Sequence, residues 1–146
     1  MNALPWYVAG LGAALLWGIH YPLLEHALKR VSLVTVLVLT VLPVLVVAVV
    51  FRDTLWRDAS VLMAMDWPDR GRILMLSATS LGATVMLFLA IGSRNATLAS
   101  LIEITYPLFI VLFTWLLFRQ VHVTPSAALG GALVMAGAAL IIWNHP

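Results

Sequence analysis

No cysteine occurs in this sequence, which excludes disulfide frameworks, thiolate metal sites and cysteine nucleophiles together. Charge is nearly as scarce: Asp, Glu, Lys and Arg make up 10% of the 146 residues, against roughly 25% in an ordinary soluble domain. The formal charge of +2 is too small and too scattered for a nucleic-acid partner, and no basic stripe with interleaved aromatics is present. Also missing are a His/Cys/Asp cluster at metal-ligand spacing, a Gly-rich phosphate loop and a serine nucleophile signature. An enzyme reading is therefore unsupported, and no cofactor or metal is expected.

What the chain has in abundance is hydrocarbon. It is 63% hydrophobic with a mean hydropathy of +1.06. The apolar residues fall in continuous runs of about 17 to 23, which favours membrane-spanning helices over the ten-residue alternating segments of an outer-membrane barrel. The expected fold is an all-α membrane protein, a five-transmembrane-helix bundle, with spans at 6–26, 31–51, 73–91, 96–118 and 127–143. The first run lacks a Lys/Arg-rich leader and a small-residue cleavage site and reads as a retained span. The second is rich in Val and Leu, which would favour a strand in water. Its length decides for helix, because in hydrocarbon every backbone group must be paired within the segment.

The polar stretch 52–72 reads as an interfacial loop. Asp53 or Thr54 could cap a short helix there, with Leu55, Val61, Leu62 and Met65 dipping into the headgroups, Trp56 and Trp67 at the interface and Pro68 as the stop. In the third run Ser77, Ser80 and Thr84 form a polar stripe expected to face other helices. The fifth carries Ala128, Ala132 and Ala136 beside Gly131 and Gly137, small residues that let helix backbones approach closely.

The fourth run is the anomalous one. Glu103 lies about 4 residues, or roughly 6 Å along a helix, from its midpoint, where an ionised side chain costs at least about 2.5 kcal/mol. Pro107 has no N–H to offer the carbonyl four residues back, so it frees the Glu103 C=O as well. Glu103, Tyr106 and that carbonyl share one turn. Two readings of the acid stand: a group that exchanges a proton or binds a cation, or a hydrogen-bonded pin between helices. In the first run Trp17, His20 and Tyr21 recur at helical spacing. His20 could relay protons at physiological pH, and Trp17 and Tyr21 could wall a cationic or aromatic substrate, or simply pack. Glu25 has Lys29 at i+4, and a local ion pair is the simpler account of it. Glu103, Trp17, His20, Tyr21, Tyr106 and Pro107 are the candidate substrate-binding residues.

Three stretches carry a family resemblance. LLWGIHYPLLEHAL (Leu15–Leu28) resembles the first span of the EamA-like transporters of the drug/metabolite transporter superfamily, with its Trp17-Gly18 pair. NATLASLIEITYPLFIVLFTWLLF (Asn95–Phe118) resembles their fourth span with its central proline, and LGGALVMAGAALII (Leu129–Ile142) their small-residue fifth. Where the family often closes the fourth span with Gly-Glu, this chain has Arg119 and Gln120, so no role of that acid carries over. Family members typically hold two such repeats, and this chain is similar to one.

The resemblance implies transport; with one repeat present and Glu103 as the coupling group, the expectation is a half-size secondary transporter, an exporter of a small metabolite or drug-like molecule, proton-coupled and active as a dimer. Such transporters place substrate between two repeats. The expected partners are a small-molecule substrate, membrane lipid, and a second copy (a homodimer, in the manner of the small multidrug resistance proteins) or a paralogous half-transporter. The alternative is a non-transporting accessory or scaffold subunit that needs a separate partner half. The expected location is the bacterial inner (plasma) membrane. Loop Lys and Arg divide as Arg52, Arg57, Arg70, Arg72 and Arg119 on the side of the N-terminus against Lys29, Arg30 and Arg94 on the other, which favours a cytoplasmic N-terminus by a narrow margin.

Overall fold

The computed structural model describes residues 5–120 and 123–144, and among these every regular element is a helix. In order they are α1 (Trp6–Leu28), α2 (Leu33–Val50), α3 (Arg52–Ala64), α4 (Trp67–Ser93), α5 (Ala96–Glu103), α6 (Tyr106–Phe118) and α7 (Pro125–Asn144). Five stretches are long and apolar enough to cross a membrane: α1, α2, α4, α5 with α6 as one 23-residue span, and α7. The protein is thus an all-α, multi-pass membrane protein.

Local chemistry explains where the helices begin and end. Ser32 caps α2 by accepting the Thr35 N–H at 3.3 Å, and Asn95 caps α5 by accepting the Leu98 N–H at 2.8 Å. These side-chain oxygens satisfy donors that an α-helix leaves open in its first turn. Pro22 and Pro43 lie inside α1 and α2, and both helices continue through them. The fourth span does break. Ile104 and Thr105 form a turn between α5 and α6, where the N–H groups of Thr105 and Leu108 reach back three residues, to Ile102 O and Thr105 O, both at 3.1 Å. The i−3 bonding is the tighter 3₁₀ pattern, and it sits where Pro107 has no N–H for the Glu103 carbonyl.

The polar stretch 52–72 is mostly helical. Its first part is α3, which Phe51 caps without a side-chain bond. Pro68, expected to stop a short helix, instead stands in the first turn of α4, where a missing N–H costs nothing. Asp66 accepts the Asp69 N–H at 3.2 Å and starts that helix. Along α4, Ser77 and Ser80 are exposed, and Thr84 donates to the Ser80 carbonyl at 2.8 Å, so this hydroxyl is satisfied on its own helix.

The chain forms two compact units, with the division inside α1 at Pro22. One holds α1 as far as Tyr21 together with α5, α6 and α7; the other holds the rest of α1 with α2, α3 and α4 through Gly92. In the first, α5 packs against α7, and the buried residues among those described are alanines: Ala96, Ala99 and Ala138. Such small side chains allow helix axes to come close without a large apolar core. In the second, Leu24, Val36, Phe88 and Ile91 are buried.

Candidate functional site

Glu103 is the last residue of α5, directly before the turn that divides the fourth span. Its carboxylate Oε2 accepts the phenol O–H of Tyr21, from α1, at 2.5 Å. That is at the short end for O–H···O⁻ bonds, which are roughly twice as strong as neutral ones. The two residues are 82 positions apart in sequence, so this bond joins the first span to the fourth within one compact unit. Both side chains are half-buried. Removing a polar group from water costs free energy unless it finds a partner, and each supplies the other's.

Around this pair lie the rings of α1. Trp17 and Tyr21 have centroids 5.4 Å apart at an interplanar angle of 46°, while His20 meets Trp17 edge to face at 5.2 Å and 88°. His20 and Tyr21 are 6.2 Å apart. The Tyr106 phenol is near enough to Tyr21 for the two to interact electrostatically. Trp17 and Tyr106 remain 51% and 55% exposed, so the cluster presents aromatic surface outward beside a carboxylate. Rings so placed can hold a cation over their faces, and a carboxylate can pair with it or carry a proton. No group of three or more His, Cys, Asp or Glu capable of holding a metal occurs among the described residues.

Pro107 belongs to a different surface. It lines an apolar groove of about 530 Å³ between α6 and α7, with Ile104, Leu108, Val111, Ala127, Ala128 and Gly131 among the other lining residues. Leu108 enters this groove closely: a Cβ on Gly131 would stand 2.7 Å from Leu108 Cδ2. Of the six candidate residues, then, Trp17, His20, Tyr21, Tyr106 and Glu103 gather on one cluster, and Pro107 lies at the groove. The small residues of α7 announced a close approach in the sequence. Leu108 gave no such signal, because one leucine in an apolar run looks like any other. The Glu25–Lys29 ion pair is present at 2.7 Å, on an exposed helix face where such pairs are worth about 0.3–0.5 kcal/mol.

The sequence profile of the EamA-like transporter family matches residues 4–143. The chain belongs to that family. No curated protein and no solved structure gives a match. As an EamA family member, the protein is of the drug/metabolite transporter type, a class that handles small molecules within the membrane rather than one of enzymes. The Tyr21–Glu103 bond links the two spans whose sequences carry the Trp-Gly pair and the central proline.

Proposed function

We propose that this EamA family protein is a half-size secondary transporter that exports a small metabolite or drug-like molecule across a bacterial inner membrane, with Glu103 carrying the coupling proton. The observation that supports this reading is the Tyr21–Glu103 bond. Among the described residues, no basic side chain is bonded to this intramembrane acid. An acid so placed alternates between holding a proton and holding a cationic or hydrogen-bonding group of substrate. Trp17, His20 and Tyr106 wall the space in front of it. The second half of the substrate site comes from a second copy, since secondary transporters bind between repeats near the midplane.

The test is transport by purified protein in proteoliposomes under an imposed proton gradient, with a panel of amino acids, nucleosides and aromatic cations. Glu103→Gln is expected to abolish the dependence of uptake on pH, and Tyr21→Phe to lower the rate while leaving transport measurable. The same bond could act only as a pin between helices. In that case both variants lower the thermal midpoint, and transport by those that fold keeps the wild-type rate and pH dependence, which would overturn the proposal.

A further inference from the structure

α3 is neither a span nor part of the transport cluster. It is 13 residues long, about 20 Å, too short and too charged to cross a bilayer. Yet Leu55, Trp56, Ala59, Leu62 and Met63 recur at i, i+1, i+4, i+7 and i+8, which places them on one stripe of a helix. Trp56 and Met63 are each 76% exposed. Asp53, Thr54 and Arg57 occupy the other side together with Val61, and Asp58 borders the stripe; Arg57 donates to Thr54 Oγ1 at 3.4 Å.

Both ends of α3 are tied to flanking spans. Only Phe51 separates it from the last residue of α2. At its other end Arg70, in the first turns of α4, donates through Nε to the Met65 carbonyl at 2.8 Å and through the guanidinium to the Met63 carbonyl. The same guanidinium sits 5.5 Å over the Trp67 ring. Arg70 is three residues, about 4.5 Å of helix rise, ahead of Ile73, where the uncharged run of α4 begins. A helix about 20 Å long that is tied at one end to α2 and at the other to the start of α4 is held close to both spans and has the length and face to lie along a bilayer surface.

We infer that α3 is an interfacial anchor whose Leu55/Trp56/Leu62/Met63 face is buried in the boundary between headgroups and acyl chains of the same bilayer. Its apolar stripe continues the lipid-facing surface of the spans it joins. The charges of Arg52 and Arg57 are balanced by Asp53 and Asp58, with Arg52 and Asp53 paired at 3.4 Å. Apolar burial therefore drives the contact, and zwitterionic phospholipid suffices.

The absence of cysteine makes the test direct, because any cysteine introduced is the sole site of attachment. Spin labels on Leu55→Cys, Leu62→Cys, Met63→Cys, Thr54→Cys and Arg57→Cys are compared in full-length protein reconstituted in phosphatidylcholine vesicles, using collisions with dissolved oxygen and with a water-soluble nickel chelate. The first three are expected to favour oxygen severalfold over the last two, with the same pattern when phosphatidylglycerol is added. Equal access of nickel to all five places α3 in water and overturns the inference. Shielding of the first three from both quenchers overturns it in favour of a protein partner, and a pattern that needs phosphatidylglycerol overturns the zwitterionic assignment.

Discussion

At the scale of single residues, Arg119 shows how a departure from the family pattern is accommodated. It closes α6 with φ 55° and ψ 28°, the left-handed conformation normally given to glycine at a helix end. It is the one non-glycine residue with positive φ among those described. The arginine stays in the turn and lays its guanidinium 5.2 Å over the Trp115 ring, a contact worth about 0.5–1 kcal/mol at an exposed site. That is of the same order as the backbone cost, about 1–2 kcal/mol for an L-residue in this region. Arg119→Gly is thus expected to leave thermal stability in detergent within about 0.5 kcal/mol of the parent, since it removes both terms. Arg119→Val loses the stack and adds a β-branched side chain at positive φ, and it should destabilise by about 1–3 kcal/mol. A valine variant as stable as the parent would show that the turn relaxes to negative φ.

Among the elements, the fourth span repays comparison with its sequence. Its length, its acid and its proline were all legible, because a membrane span is read from run length and an ionisable residue within it stands out. Which groups meet that acid was not. Helical periodicity says which residues share a face of one helix, but nothing in it pairs that face with another helix, so Tyr21 as the partner of Glu103 emerged only in three dimensions. The same limit separates Pro107 from Glu103. On one wheel they share a face, yet with the helix interrupted at Ile104 and Thr105 the proline lines the groove toward α7 and the acid bonds α1. The α6–α7 contact makes its own prediction. Gly131→Leu forces a side chain into the space that Leu108 occupies, an overpacking expected to cost about 1–3 kcal/mol. Adding Leu108→Ala to that variant should recover much of the loss, measured as the unfolding midpoint of each single and the double variant. Additive losses would mean that the two residues do not share one space.

At the scale of the whole molecule, the described residues hold five candidate spans, an odd number, so a membrane crossed by all five has Pro5 and Asn144 on opposite sides. Loop cations fix which side is which only through their imbalance. Here that imbalance is narrow: Arg52, Arg57, Arg70, Arg72 and Arg119 against Lys29, Arg30 and Arg94. Local ion pairs leave it narrow, since Arg72 pairs with Asp69 and Arg52 with Asp53 on one side and Lys29 with Glu25 on the other, and acidic residues count little toward orientation. If one repeat supplies half of a substrate site, a second copy inserted in the opposite sense would supply an inverted half, the arrangement that alternating access uses. The expected outcome is an antiparallel homodimer with both orientations present. Reporters active on opposite sides of the membrane, fused in turn to each terminus, should both give signal at either end. Moving the balance by Lys29→Gln with Arg94→Gln should drive insertion to a single sense and reduce transport, while co-expression with a chain biased the other way should restore it. One fixed orientation in the parent, with full transport from monomers in liposomes, would refute the antiparallel pair and leave the Tyr21–Glu103 cluster to work within a single copy.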